Sequence, residues 1–172
     1  MDRGCSLAEL LVGVAIAGLL AGLACQGGAE AVARQRLEAS ARNLGQGIET
    51  ARREAIRRAQ PCALTLGLRG WQPPNGAELA SCEANPASLQ DVGVGSTDPA
   101  ALELIHNFPA VVRFSSTGLV LDGGTAVVGM RGTALRRCLV MALPLGIVRV
   151  GRYQGNPSQG LNSSLCVVDG SL

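Results

Sequence analysis

The most chemically telling feature of this chain is one carboxylate set in an apolar run. From Cys5 to Cys25 the residues are apolar, small or uncharged, and Glu9 is the only charge among them. An acidic group in a spanning helix costs roughly 2.5–3.5 kcal/mol on insertion scales, and more when unpaired, so a residue of this kind calls for a partner cation. Ahead of the run stands a short basic leader, Met1-Asp2-Arg3-Gly4, ending in glycine. Six cysteines form the second reactive set. That is a high number for an intracellular chain of this size and suits an oxidising compartment. There is no C-x-x-C pair and a single histidine, His106, which argues against a zinc site, and no cofactor is implied. Catalysis finds little support. His106 stands beside Asn107 and Phe108 as an ordinary loop histidine, Ser115 and Ser116 have no basic neighbour in sequence, and the acids show no paired spacing. The expectation is a protein that is not an enzyme.

The positive charge is all arginine, since the chain has no lysine. Its distribution is uneven. Residues 60–112 carry Arg69 against Glu78, Glu83, Asp91, Asp98 and Glu103, whereas residues 113–172 carry Arg113, Arg131, Arg136, Arg137, Arg149 and Arg152 against Asp122 and Asp169. The C-terminal third is locally basic. Aromatic residues are scarce: Trp71, Phe108, Phe114 and Tyr153 complete the set.

These groups must be positioned by three kinds of element. The segment from Cys5 to Cys25 covers about 20 residues, or roughly 30 Å of helix, enough for one bilayer crossing. Beyond a weak point at Gly27-Gly28, a helical pattern runs from Ala29 to Ala59. Leu37, Leu44, Ile48, Ala51 and Ala55 make one apolar stripe, and Glu-to-Arg pairs stand four apart in the favourable order at Glu30–Arg34, Glu38–Arg42, Glu49–Arg53 and Glu54–Arg58. Pro61 stops the helix. Alternation at Cys62, Leu64, Leu66 and Leu68 then predicts a strand. Residues 70–107 read as loop-rich, with a turn at Pro73-Pro74-Asn75-Gly76 and a short helix or strand at Ala100–Ile105. Strands are predicted at Val111–Phe114, Leu119–Leu121, Thr125–Met130, Arg137–Leu143 and Ile147–Val150, with turns between them and one more strand at Leu165–Val168 in a Gly/Ser/Asn-rich tail. The fold class is α+β: a long N-terminal helix followed by an antiparallel β-meander or two-sheet domain. Its divisions are a leader at 1–4, a membrane and assembly helix at 5–26, a helical continuation at 27–60 and a β domain at 61–172. Of the three pairings open to the four cysteines after the helix, order along the chain favours Cys62–Cys82 and Cys138–Cys166.

Gly4, Cys5 and Glu9 together resemble the signal of type IV pilins and type II secretion pseudopilins. In that family a prepilin peptidase cuts after the glycine, the new first residue is N-methylated, and Glu stands at the fifth mature position. This chain departs from the pattern at Cys5, where Phe is usual. Two other signals compete for the N-terminus. An ordinary secretory signal would be cut near Ala21-Gly22-Leu23-Ala24, and a lipoprotein signal would lipidate Cys25, with Gly22 where Leu is required. Neither accounts for Glu9.

The later sequence narrows the resemblance to the GspH/FimT group of minor pilins and pseudopilins. The residues that carry it are Ala51-Arg52-Arg53-Glu54-Ala55-Ile56, Val112-Arg113-Phe114-Ser115-Ser116-Thr117-Gly118, and Arg136-Arg137-Cys138-Leu139-Val140 followed by Gly146-Ile147-Val148-Arg149. Arg69 to Pro109 does not show the group's pattern clearly. The resemblance implies a pilin-like fold and a subunit of a type IV pilus or a type II secretion pseudopilus. Its partners are other pilin or pseudopilin subunits, prepilin peptidase, and inner-membrane lipid before assembly. The location implied is a single-pass inner-membrane anchor with the domain in the periplasm, extracellular once in a pilus. Glu9 would pair with the free α-amino group of a neighbouring subunit's residue 5, a weak stabiliser but a strong register device. In some competence-related members a Gly-Arg-x-Arg ending binds DNA. Ile147 replaces the first of those arginines and Arg149 aligns with the second. The candidate DNA contacts are therefore Arg149 and Arg152, with Arg136 and Arg137, against a plain reading as solvent-facing strand arginines. Two or three phosphate contacts would give only weak, salt-sensitive binding. Three functions stay open: structural subunit, DNA-binding minor pilin in natural transformation, and lipoprotein or secreted binding domain.

Overall fold

The computed structural model describes residues 7–74, 76, 79–82, 102–131 and 133–168, and within the long helix the side chains at 20, 21 and 23–30 lie outside the description. Gly4 and Cys5 also lie outside it, as do Asn75 of the expected turn and Ala100 at the start of the expected segment at 100–105. The chain divides into two compact units, residues 1–35 and 36–172.

Helix α1 runs from Leu7 to Arg58. In the first unit its described apolar side chains, from Leu7 through Leu10, Leu11, Val12, Val14 and Ile16 to Leu19, are exposed. Among the described residues no helix is long and apolar enough to cross a membrane. The expected membrane segment 5–26 rests in part on residues outside the description.

In the second unit α1 becomes one-sided. Leu37, Ala41, Leu44, Ile48, Ala51 and Ala55 are buried and lie three or four residues apart. That spacing places them on one helix face. Glu38–Arg42 and Glu54–Arg58 form the expected ion pairs, at 3.6 and 2.5 Å. Glu49 instead takes Arg52, three residues on, at 3.2 Å, while Arg53 donates to the Thr50 hydroxyl. Arg52 is drawn that way because it also reaches the Gly118 carbonyl oxygen, at 3.1 Å. The helix closes before Pro61. The Ala59 amide donates to the Ile56 carbonyl (3.1 Å), the Gln60 amide donates to the Ala55 carbonyl (3.3 Å), and Ala59 sits at φ 51°. These two bonds make a Schellman cap, with alanine where glycine is usual.

Among the described residues eight strands follow: β1 Cys62–Gly67, β2 Gly70–Gln72, β3 Leu102–His106, β4 Val112–Phe114, β5 Gly124–Met130, β6 Arg136–Ala142, β7 Ile147–Tyr153 and β8 Cys166–Val167. They form two antiparallel sheets, a small one in the order β2-β1-β4 and a larger one in the order β3-β5-β6-β7-β8. The α+β, two-sheet form expected from the sequence is thus the observed fold. Details differ. β2 lies in a stretch read as loop, and it is a strand only because Thr65, Leu66 and Gly67 offer it a pairing edge. Leu119–Leu121 is not a strand. Val120 makes a single bridge to Phe114 and is buried, while Leu119 and Leu121 on either side are exposed. β7 also runs on to Tyr153, past the expected end at Val150.

Both sheets turn one face to α1. On the small sheet, Cys62 and Leu64 stand opposite Phe114 and Val112, and all four are buried. Trp71 is the keystone of this side. Its indole N–H donates to the Leu44 carbonyl at 2.8 Å, and its ring meets Phe108 edge-on with centroids 5.6 Å apart. A Cβ at Gly47 would lie 2.3 Å from the Trp71 ring, so only glycine lets the indole seat against the helix. His106 lies near Phe108, and its buried Nδ1 has no hydrogen-bond partner. Burial pushes its pKa down, opposed by hydrogen bonds with backbone groups of Leu66 and Phe108. On the larger sheet, Leu139 and Val148 approach α1 at Gly45. The opposite face of that sheet is covered by the C-terminal strap, residues 154–168. There Val127, Cys138, Val140, Tyr153 and Cys166 form a second small core, with Leu161 packed on it.

Candidate functional site

Glu9 stands in the first turn of α1, on the part of the helix whose apolar side chains are exposed. Residues 7–19 therefore present exposed apolar side chains with a carboxylate near their N-terminal end. The helix dipole favours a negative charge at that position.

The four candidate DNA contacts are not gathered on one surface. In antiparallel pairing, residues directly opposite share a face and successive residues alternate. Arg137 stands opposite Arg152, and Val140 stands opposite Arg149. Arg137 and Arg152 thus share the helix-side face, while Arg136 and Arg149 take the other. Bonding agrees with this division. Arg137 forms an ion pair with Glu38 of α1, and Arg149 donates to the Ser163 carbonyl oxygen of the strap at 2.7 Å. The split was hidden in the sequence, where the expected strands begin at Arg137 and end at Val150 and leave Arg136 and Arg152 outside them; the observed strands take in both.

Both disulfides favoured by chain order are present, Cys62–Cys82 and Cys138–Cys166. The first ties β1 to the described residues 79–82 that follow β2, where the Ala63 amide donates to the Ala80 carbonyl (2.9 Å) and the Cys82 amide to the Ala63 carbonyl (3.1 Å). The second fastens the strap to the middle of β6. Two asparagine caps shape that strap: Asn156 accepts from the Ser158 amide (3.1 Å) and Asn162 from the Ser164 amide (3.0 Å). The Tyr153 hydroxyl accepts from the Asn162 amide at 3.1 Å. Among the described residues, no group of three or more His, Cys, Asp or Glu could hold a metal ion.

The ion pairs Glu38–Arg137, Glu103–Arg131 and Arg113–Asp122 escaped sequence reasoning because each joins residues nine or more apart along the chain. Arg113 of β4 grips Asp122 with Nε at 2.7 Å and Nη2 at 2.8 Å, while its own backbone N–H donates to the same carboxylate at 3.0 Å. The Arg113 guanidinium holds the Asp122 carboxyl below its ordinary range. The grip closes the 115–121 loop. Only an acid standing among the arginines of the C-terminal third, at the head of the turn Asp122-Gly123-Gly124, hinted at it.

With this geometry in hand, comparison with known families decides the assignment. Residues 40–144 match the family described as type II transport protein GspH. The chain belongs to that family. The match begins on the packed half of α1 and ends in the β6–β7 turn, so it rests on the domain and not on the N-terminal signal. It covers all three stretches on which the resemblance was read up to Val140, and it also takes in residues 69–109, where no clear likeness was seen. The GspH assignment makes this chain a pseudopilin or minor pilin of the type II secretion kind, a class whose subunits work with one another. Searches of curated proteins and of solved structures gave no match.

Proposed function

We propose that this GspH-family chain is a minor pseudopilin, cut by prepilin peptidase after Gly4, N-methylated at Cys5, and held in the inner membrane by residues 5–26 until it enters a filament. The observation that carries this reading is the agreement of two separate stretches. The family match lies at 40–144, while the Gly4–Glu9 spacing lies wholly outside it. The family's description as a transport protein favours a secretion pseudopilus over a surface pilus. In the proposed assembly, Glu9 pairs with the amino group of a neighbour's residue 5. The exposed apolar side chains from Leu7 to Leu19 are then covered by lipid first and by other subunits later. The apolar setting makes that ion pair costly to break once formed, which suits it to setting register. Burial of the domain core does not depend on it.

Mass spectrometry of the mature N-terminus tests the reading. A methylated peptide beginning at Cys5 is expected. A chain starting at Cys25 or later would favour the lipoprotein or secreted alternatives and overturn this one. DNA binding is not put forward as a second reading, since Arg136 and Arg149 lie on one face of the sheet and Arg137 and Arg152 on the other.

A further inference from the structure

Two loops at one end of the domain carry apolar side chains where turns are usually polar. Leu119, Leu121, Leu143, Leu145 and Ile147 are all exposed, Leu145 by 55% and Ile147 by 60%. Ile56 of α1 joins them through Gly118, where a Cβ would meet its side chain at 2.6 Å. The loops are interlocked. The Val120 amide donates to the Pro144 carbonyl at 3.0 Å, and a Cβ at Gly146 would strike the buried Val120 side chain at 2.2 Å. Val120 is therefore the wedge that turns Leu119 and Leu121 outward. Three further restraints hold the arrangement: the Arg113–Asp122 grip, the Arg52 bond to Gly118, and the Gly146 amide donating to the Ala142 carbonyl at 2.9 Å. A surface already ordered in this way loses little entropy on docking. Several exposed apolar side chains carried on two interlocked, restrained loops mark an interaction site.

The charge beside the loops says what would fit. Ile147 and Val148 share a groove with Glu49, Thr50, Arg52 and Arg53 of α1. The Glu49 carboxylate is taken by Arg52, and Asp122 by Arg113. Arg53 is exposed and bonds only weakly to the Thr50 hydroxyl, at 3.3 Å. The rim is therefore positive. Two copies meeting through this same surface would bring two net-positive rims together.

We infer that the Leu119–Leu121 and Leu143–Ile147 loops, with Arg53, form a docking surface for a different subunit of the same filament, one that offers apolar side chains flanked by carboxylates. This rests on the pseudopilin reading and adds to it the surface and the chemistry of the partner. The test is photo-crosslinking in the native host, using the full chain with a benzophenone amino acid in place of Leu121. Ser158, exposed on the strap, is the control position. The expected product is an adduct between Leu121 and one other cleaved, pilin-type subunit, absent from the Ser158 control. Arg53→Glu and Leu145→Asp should each lower its yield about tenfold, as for a central contact of an interface. Arg53 and Leu145 are exposed, and unchanged chain level and disulfide content check that the variants fold. Leu145→Ser, a milder change, should lower the yield in the same direction.

An adduct with a second copy, with lipid, or with nothing overturns the proposal. So does an equal adduct from Ser158, or a yield that Arg53→Glu leaves unchanged. A chain that is not cleaved after Gly4 counts against the pseudopilin reading itself. A normally cleaved chain with no adduct at Leu121 removes only this surface.

Discussion

The two halves of α1 follow different rules. From Leu7 to Leu19 the apolar side chains point all round the helix and are exposed. From Leu37 to Ala55 they fall in one stripe and are buried. A helix with one apolar face can be satisfied by its own domain, whereas a helix apolar on every side needs an apolar environment around it. The second half therefore draws its order from the sheets, and the first half is suited to surroundings supplied from outside the chain. Stability and assembly should accordingly respond to different substitutions along a single helix.

The sharpest way to break this contrast is to remove what the second half leans on. Trp71→Ala deletes the ring that sits on Gly47 and the hydrogen bond to Leu44. It should cost about 3–5 kcal/mol in urea unfolding of the full chain in detergent. A loss under 1 kcal/mol would mean that the packed half of α1 does not depend on this seat. Opening the strap is expected to cost less. Cys138→Ser with Cys166→Ser should remove about 2–4 kcal/mol by the same measurement. Because this bridge lies on the sheet face away from α1, the effect should add to that of Trp71→Ala, and strong coupling between the two would contradict the two-core description.

Ala59→Gly should act in the opposite sense. Alanine at φ 51° bears a left-handed strain of about 1–2 kcal/mol that glycine escapes, partly offset by glycine's greater freedom when unfolded, for a net gain of about 1 kcal/mol. A fall in the unfolding midpoint would show that the cap is not formed as described. The smallest effect on stability belongs to Glu9→Ala. It should leave the unfolding midpoint unchanged while cutting incorporation into filaments, read by sheared-fraction immunoblotting. Normal incorporation, or a marked loss of stability, would erase the proposed division between the halves.

Periodicity made much of this legible early. The stripe on α1 and the alternation of Cys62, Leu64 and Leu66 in β1 are local patterns read with the correct face, because burial imposes a fixed period on helix and strand; Leu68, expected to continue that face, lies past the end of β1 and is exposed. The cysteine pairs were also accessible, since each closes a loop short enough for order along the chain to favour it. The failures have a common origin. β2 has only three residues next to glycines and prolines, and nothing in Gly70–Gln72 marks a strand until Leu66 and Trp71 stand opposite each other. Leu119–Leu121 has strand-like composition, but its backbone is spent on the Ser115, Arg113 and Pro144 contacts of a closed loop.

The local pattern of side chains was enough to settle the long helix, the α+β class and the division of the helix into an all-round apolar half and a one-sided half, because these depend on the spacing of residues near in sequence. It could not settle which residues meet across strands. Register alone separates Arg137 and Arg152 from Arg136 and Arg149, brings Arg113 onto Asp122, and wedges Val120 against Gly146 so that its leucine neighbours face outward. Each of these contacts joins segments whose separation along the chain says nothing of their distance in space, so the folded arrangement had to decide them.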